Sequence, residues 1–212
     1  MVNNASSVEQ ARKLMADSIW RSTIIEGLYL SYPTVESILR NESVPACSND
    51  ILFVQNMGNA WDFLFDSLGL PNNLAMLREF NKLCGLHIIE GSGDLRHIDV
   101  IIKGCKYKPA IPSHPDVVAS LQMLNSIKDP QQRAIALFCY VARDQLFIDG
   151  NKRVAQLIMN KVLIENGVGI LYINADDIDE FMDVLVGYYE TDDPVKIFRF
   201  LNKSIRYFNK EV

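Results

Sequence analysis

The corner between residues 145 and 153 constrains the fold of this chain more than any other segment. It reads Gln-Leu-Phe-Ile-Asp-Gly-Asn-Lys-Arg and separates two stretches in which apolar residues recur at helical spacing. The first stretch carries its apolar stripe at Ala134, Leu137, Phe138 and Val141. Gln145 extends that stripe by one turn, so its side chain is expected to point toward the following loop. Asp149 and Gly150 interrupt the pattern, and a second helix is predicted over residues 151–165.

The start of this second helix is a candidate anion site. A helix N-terminus presents free backbone N–H groups and the positive end of the helix dipole. Lys152 and Arg153 add two cations in the first turn, where they oppose that dipole unless a polyphosphate is bound. Asp149 beside them is a candidate Mg²⁺ ligand, because Mg²⁺ bound with phosphates usually takes one or two carboxylates. The alternative is an ordinary corner, with Asp149 and Asn151 as caps and both cations in solvent.

Most of the remaining chain also has helical patterns. Helices are predicted over residues 8–25, 34–39, 51–68, 73–83, from about 116, from about 177 to 189, and over 194–208. Residues 98–102 are rich in β-branched side chains, and residues 105–108 form a candidate return strand after a turn at 103–104. The sequence therefore predicts a mainly helical, all-α fold class with one small β-hairpin.

Composition excludes several classes of protein. The chain has 212 residues, which favours one domain, and a net charge of −5, which argues against a general nucleic-acid binder. It has no apolar run of the length that a membrane span needs, and residues 1–6 do not resemble a secretory signal. Four scattered cysteines without a Cys-x-x-Cys pair favour free thiols in a reducing compartment over a zinc site. We expect a cytoplasmic protein that binds neither nucleic acid nor membranes.

The corner resembles the signature of the Fic/Doc family, His-x-Phe-x-Asp-Gly-Asn-(Gly/Lys)-Arg. Upstream, residues 93–109 are similar to the family's flap segment, and downstream, residues 167–173 with two amphipathic helices are similar to its C-terminal half. The resemblance covers residues from about 49 to about 208. It implies a helical Fic fold with a β-hairpin flap, a core domain at 49–212 and an N-terminal inhibitory-helix region at 1–48 packed on that core.

Active members of this family use ATP and Mg²⁺ to transfer AMP to a hydroxyl side chain of a target protein. The resemblance implies that Asn151 and the loop N–H groups hold the α-phosphate region, that Asp149 binds Mg²⁺, and that Arg153 holds the β- and γ-phosphates. It makes Phe147 the anchor of the loop. The nucleotide-binding positions that it implies are Asp149, Gly150, Asn151, Lys152, Arg153 and Gln156.

The flap would hold the target protein. In the family this segment clamps an extended target peptide by strand addition, in which main-chain hydrogen bonds fix the peptide. The residues of the predicted flap that the resemblance assigns to this docking are Ile98, Val100, Ile101 and Ile102. Expected partners are therefore ATP or a related nucleotide and a target protein, and a homodimer stays open.

Three positions depart from the family pattern. Gln145 stands where the family has a histidine that acts as general base, and a glutamine amide is a negligible base near neutral pH. Losing a positioned base typically costs ~10²–10⁴ in rate, so nucleotide binding is expected to survive where transfer is crippled. Lys152 replaces the glycine of AMP-transferring members, as in the Doc branch, whose members phosphorylate their target. Gln156 replaces the second arginine of the signature, which weakens binding of the γ-phosphate.

Residues 22–27 are similar to the family's inhibitory pattern, Ser/Thr-x-x-x-Glu-(Gly/Asn). There the glutamate pairs with the second signature arginine and repels the γ-phosphate. Because that arginine is Gln156 here, Glu26 is expected to pair with Arg153 or to hydrogen-bond Gln156. The alternatives are a solvated glutamate at a helix end, or a Glu26 that activates water to remove AMP from a modified protein.

Two functions of different class stay open. One is an AMP-transferase impaired by Gln145. The other is a pseudoenzyme, a nucleotide-binding or regulatory module without transfer activity, and a Doc-like phosphotransferase is a further alternative. The chain has three histidines, His87, His97 and His114, and each is expected to be a surface or packing residue and not a replacement base.

Overall fold

The structure is a computed structural model that describes residues 4–102 and 104–209, and it confirms the mainly helical fold. Its helices are α1 (Asn4–Ile25), α2 (Tyr32–Leu39), α3 (Ser48–Asp66), α4 (Leu74–Gly85), α5 (His114–Asn125), α6 (Pro130–Asp144), α7 (Asn151–Glu165), α8 (Ile178–Thr191) and α9 (Val195–Lys203). Two short strands, β1 (Gly169–Leu171) and β2 (Ile205–Tyr207), pair antiparallel. None of the helices in the described ranges is both long and apolar enough to span a bilayer.

Helix α7 is the centre of the fold. Its whole length is buried apart from Lys152 and Glu165, which is typical of a helix surrounded by other elements. Helix α6 packs along it, and α1, α3 and α4 cover other sides. The buried ammonium of Lys161 is fully satisfied, since it donates to Leu70 O at 2.8 Å, Asn72 Oδ1 at 2.9 Å and Glu165 Oε2 at 2.8 Å. These bonds anchor the C-terminal half of α7 in the core.

Helix α1 is tied to the body of the molecule through Arg21. This guanidinium donates to Ile173 O at 2.9 Å and Tyr172 Oη at 2.5 Å, and it lies 3.9 Å from the centre of the Tyr172 ring. Asp17 lies 3.2 Å from its Nε atom. The C-terminal end of α1 is thereby fixed next to α7, although the predicted division at residue 48 stays a prediction.

The predicted hairpin segment is a turn without paired strands. Cys105 N donates to Ile102 O at 3.1 Å, but residues 98–102 and 104–108 share no strand ladder, and Lys103 lies outside the described residues. An isolated two-stranded hairpin is marginal unless one face is buried. Here Ile101 is 93% exposed, so no such face forms. The small sheet of this fold is instead made by β1 and β2.

The last predicted helix is too long at its C-terminal end. Helix α9 ends at Lys203, and residues 205–207 form β2 opposite β1. A Cβ atom added at Gly169 would lie 2.3 Å from Arg206 O, so the close approach of the two strands requires glycine. Pairing with a segment far away in sequence overrides the helical pattern of residues 194–208.

Candidate functional site

The corner between α6 and α7 is built on two residues in the left-handed conformation. Gln145 ends α6 with φ of 47°, and Gly150 precedes α7 with φ of 82°. A Cβ atom at Gly150 would lie 3.0 Å from the side-chain nitrogen of Asn81. Both the dihedral angle and the close approach therefore require glycine.

Gly150→Ala is expected to lower the free energy of unfolding by about 1–3 kcal/mol, because alanine is strained at positive φ and would press on Asn81. Chemical denaturation of the purified chain measures this. The matched control is Gly187→Ala in α8, where a Cβ atom meets nothing within 4 Å and which is expected to be neutral or slightly stabilising. Equal stability of both variants would contradict the tight packing of the corner.

Asn151 closes the corner with its side chain. Its Oδ1 accepts from Phe147 N at 3.0 Å, and its Nδ2 donates to Phe147 O at 2.8 Å and to Gln145 Oε1 at 3.0 Å. Phe147 is buried, as expected of a loop anchor. Because the amide of Asn151 is used inside the loop, this residue can offer a phosphate only its backbone N–H.

Gln145 has both ends of its amide engaged. Its Nε2 donates to Ala142 O at 2.6 Å, while its Oε1 accepts from Asn151. Both bonds orient a neutral group, so nothing at this position can take a proton. Of the cleft-lining residues that the structure describes, none is a histidine.

Two residues outside the signature hold the corner, and the sequence alone did not reveal their roles. Arg96 is only 1% exposed, and its guanidinium donates to the carbonyl oxygens of Gln145 (2.6 Å), Ile98 (2.9 Å), Pro109 (3.1 Å), Ala110 (2.5 Å) and Asp144 (3.4 Å). It thus joins both ends of the flap to the end of α6. In the sequence, Arg96 is only an arginine next to an apolar segment, and an arginine is ordinarily expected to be exposed.

Asn81 of α4 is the second such residue. Its Nδ2 donates to Asp149 O at 2.8 Å, and its Oδ1 accepts from Gly93 N at 2.8 Å. Its buried side chain therefore connects the corner to the segment that leads into the flap. A single asparagine on an otherwise apolar helix face was the only signal for it in the sequence.

Arg153 lies behind the loop. It is 4% exposed, donates to Cys84 O at 3.0 Å, and stacks 5.2 Å from the centre of the Phe53 ring. Its Nη2 also lies 3.3 Å from Asp149 Oδ2. The role in binding β- and γ-phosphates that the resemblance implies stays a prediction, but the guanidinium does not line the cleft described below.

Asp149 presents the carboxylate of the loop to solvent. One of its oxygens accepts from Gly150 N at 2.6 Å, and its side chain is 63% exposed. Within the described ranges no group of three or more acidic, histidine or cysteine residues could hold a metal by itself. A single accessible carboxylate fits Mg²⁺ that arrives with phosphates, which supply the other ligands.

Glu26 pairs with Lys152, and the predicted pairing with Arg153 or Gln156 is wrong. Lys152 Nζ lies 3.5 Å from Glu26 Oε2 and 3.4 Å from Ile25 O at the end of α1. Arg153 is turned away behind the loop. Gln156 is taken by Ser22, whose hydroxyl donates to Gln156 Oε1 at 2.9 Å. The only charged partner left for Glu26 among the described neighbours is therefore Lys152.

These elements surround a cleft of ≈ 660 Å³, which is within the usual range for a small-molecule site. The flap, the corner, the end of α1 and one face of α8 form its walls. The α8 wall consists of Met182, Leu185, Val186 and Tyr189. Burial raises the pKa of the Tyr189 hydroxyl, which has no hydrogen-bond partner among the residues that the structure describes. The cleft is thus polar and charged at the corner and apolar along α8.

The second half of the flap is attached to the end of α8. Lys106 N donates to the carboxylate of Glu190, and this bond holds the pKa of Glu190 below its ordinary value. Arg143 stacks 4.1 Å from the centre of the Tyr107 ring and lies 3.3 Å from Asp192. In the first half of the flap, Ile98 O accepts from Arg96, and the side chain of Ile101 extends into solvent.

Comparison with known proteins adds an independent observation. A scan against protein-family models matches the Fic/DOC family over residues 72–163, a range that includes α4, the flap, the corner and most of α7. A search of the curated proteins gives no match. The matched range thus includes both segments, the flap and the corner, whose residues resemble the family.

Solved structures with this fold include a Fic family protein from Desulfovibrio desulfuricans G20, with a TM-score of 0.77 and 18% identity over 91% of this chain and 62% of that chain. A Fic domain containing signaling protein from Bacteroides thetaiotaomicron VPI-5482 has a TM-score of 0.77 and 18% identity over 93% of this chain and 86% of that one. Fic-1 from C. elegans has a TM-score of 0.77 and 18% identity, over 96% and 64%. This chain thus spans less than two thirds of the Desulfovibrio and C. elegans chains, and at such identity the likeness shows the fold alone. This chain therefore has the fold of these Fic proteins, and its residues 72–163 are similar to the Fic/DOC family.

Proposed function

We propose that the cleft binds a nucleotide with its phosphate at the start of α7, and that transfer of AMP from ATP to a protein hydroxyl is strongly impaired. One observation carries the binding part of the proposal: the ammonium of Lys152 lines the cleft beside the first turn of α7. The N–H groups of that turn have no partner within the helix, and no side chain in the described part of the protein caps them. Both features favour an anion at this place.

The missing base carries the catalytic part. In AMP transfer, the hydroxyl oxygen of the target attacks the α-phosphorus, the bond to pyrophosphate breaks, and the hydroxyl proton must be accepted. The Gln145 amide is held by Ala142 O and Asn151 and has no basic atom for that proton. Bound at Asp149 with the phosphates, Mg²⁺ would neutralise part of their charge. The departing pyrophosphate does not take the proton of the target hydroxyl at the moment of attack, so a base is still needed.

A nucleotide-dependent binding module without transfer activity is the second candidate. The hydrogen bonds of the Gln145 side chain favour this second candidate, because they hold the corner together although the histidine of the family is missing. A Doc-like phosphotransfer, which Lys152 suggests, needs a base for the same target hydroxyl and would be impaired for the same reason. The predicted cytoplasmic location stays a prediction.

The open edge of the flap supports a protein partner. Ile98 is 51% exposed and Ile101 is 93% exposed, which is unusual for two isoleucines so close in sequence. An extended peptide that pairs with residues 98–102 would cover both side chains. We therefore propose that the target or regulatory partner docks on this edge, next to the mouth of the cleft.

Lys152→Met is expected to weaken nucleotide binding by about 10- to 100-fold, because it removes a charged hydrogen-bond donor to the phosphate. Isothermal titration with AMP in the presence of Mg²⁺ measures the loss. The matched control is Lys196→Met, which removes an ammonium from a separate groove beside α8. Unchanged affinity in the Lys152 variant, or an equal loss in both variants, would contradict the proposed phosphate site.

A further inference from the structure

A second large groove lies between α5, the segment that leads into α4 and the first turn of α6. Its volume is ≈ 590 Å³, which is within the usual range for a small-molecule site. Its apolar walls are formed by Pro71, Leu74, Val118 and Leu121. Of the described residues that line it, none also lines the cleft at the corner, so the groove is a separate place on the molecule.

Two large apolar side chains beside the groove are exposed. Leu70 precedes the lining residue Pro71 and is 54% exposed, and Met123 follows the lining residue Gln122 and is 67% exposed. Adjacent exposed apolar surface of this kind is a feature of ligand-binding grooves. A ligand with an apolar body gains free energy by covering the groove and these two side chains.

The amide side chains in the walls already have partners inside the protein. Asn72 Oδ1 accepts from the buried ammonium of Lys161 at 2.9 Å. Asn125 Nδ2 donates to Asn72 O and to Leu121 O, both at 2.8 Å. These bonds join the end of α5 to the segment before α4 and fix the shape of the groove, so the amides have a structural role and are not free to select a ligand.

Arg133 is the one charged residue among the described residues that line the groove. Its Nη1 donates to Ile127 O at 2.9 Å, and no carboxylate of the described chain pairs with it. Asp129, the nearest acidic residue in sequence, caps α6 by accepting from Gln132 N at 2.7 Å. Arg133 also lies in the first turn of α6, where a cation opposes the helix dipole. The remaining donors of its guanidinium therefore suit an anion, and a carboxylate can accept two of them.

We propose that this groove binds a medium-chain fatty acid, with the carboxylate on Arg133 and the hydrocarbon chain against the apolar walls. The division of the groove into one unpaired guanidinium and otherwise apolar or internally bonded walls matches a molecule with one carboxylate and an apolar chain. An apolar cation would be repelled by Arg133, and a neutral apolar molecule would leave the guanidinium without an ion pair. The proposal goes beyond nucleotide binding and does not depend on it.

Titrations of the full chain with octanoate, decanoate and octan-1-ol test the proposal. We expect decanoate to bind about 10-fold more tightly than octanoate, because two more methylene groups are buried. We expect octan-1-ol to bind about 10-fold more weakly than octanoate, because it has no charged acceptor for Arg133. Non-specific apolar binding gives the opposite order of the alcohol and the carboxylate. That order, or no binding of decanoate, overturns the proposal and leaves the nucleotide site untouched.

Arg133→Met separates the ion pair from the apolar contacts. It is expected to lower the affinity for decanoate by about 10-fold, to change that for octan-1-ol by no more than about 3-fold and to leave AMP binding unchanged. Arg133→Lys keeps the charge and is expected to retain the affinity for decanoate within about 3-fold. The matched control is Arg199→Met on α9, outside the groove, which is expected to change none of these affinities. An equal loss in Arg133→Met and Arg199→Met overturns the proposal.

Val118→Asp tests the apolar wall. It places a carboxylate beside the hydrocarbon chain and is expected to lower the affinity for decanoate by at least about 10-fold, whereas Val195→Asp, at an exposed position of α9, is expected to have no effect. Sedimentation of the unaltered chain and of Val118→Asp checks the competing use of the groove as an interface between copies. A dimer that Val118→Asp dissociates, together with no binding of decanoate, overturns the proposal in favour of that interface.

Discussion

Gln145→His is expected to raise the rate of AMP transfer by ~10²–10⁴-fold, the contribution of one positioned general base. The imidazole would stand at the end of α6, where it can take the proton of the attacking hydroxyl. Histidine is more readily accommodated than most residues at a positive φ such as the 47° of this position. Incorporation of radiolabelled AMP into protein, together with pyrophosphate release, measures the change.

Gln145→Ala is the matched control for this experiment. It removes the amide and its hydrogen bonds to Ala142 O and Asn151 but adds no base, so it is expected to remain inactive. Glu26→Gly in the Gln145→His background is expected to raise transfer further, because it frees Lys152. Robust transfer by the unaltered chain, unaffected by the histidine, would show that another group accepts the proton.

Arg96→Met is expected to lower the free energy of unfolding by about 3–5 kcal/mol, a large share of the 5–15 kcal/mol of a typical domain. The variant leaves buried carbonyl oxygens of the flap and of α6 without their donor. Arg96→Lys is expected to recover only part of the loss, since one ammonium cannot reach groups spread around a planar guanidinium. Chemical denaturation of the unaltered chain and of the two Arg96 variants measures their free energies of unfolding.

The control for Arg96 is Arg199→Met, which removes an exposed arginine from α9. Its expected effect is within about 0.5 kcal/mol, as is usual for surface positions. A loss below about 1 kcal/mol for Arg96→Met would mean that water replaces the guanidinium at these carbonyls. Limited proteolysis adds a local readout, because the flap is expected to be cleaved faster once its two ends are released.

The helices near the site were predictable because their signals are local. Helix α7 begins at Asn151 and ends at Glu165 as predicted, since Gly150 and Gly167 mark its ends and both adopt positive φ. Helix α4, predicted over residues 73–83, spans Leu74–Gly85, and the side chain of Asn73 caps its first turn. Each of these signals depends on residues within one turn of the helix end, so neighbouring parts of the fold do not alter them.

The strand pairing and the site contacts were not predictable in the same way. The partner of Glu26 is Lys152, 126 positions later, because packing of α1 on α7 and the withdrawal of Arg153 decide which cation is near. Pairing of β2 with β1 likewise replaced the end of a predicted helix. Such contacts depend on the position of whole elements, and no local pattern encodes that position.

The helical class, the corner at the start of α7, the family resemblance and the missing base at Gln145 all follow from the residue types along the chain. Which side chains face the cleft follows from the packing: Lys152 and Glu26 do, whereas Arg153 and the amide of Asn151 are used to close the loop. The sequence gives the type of each residue. The direction of its side chain depends on competition among buried partners, and these partners come together only when the helices pack.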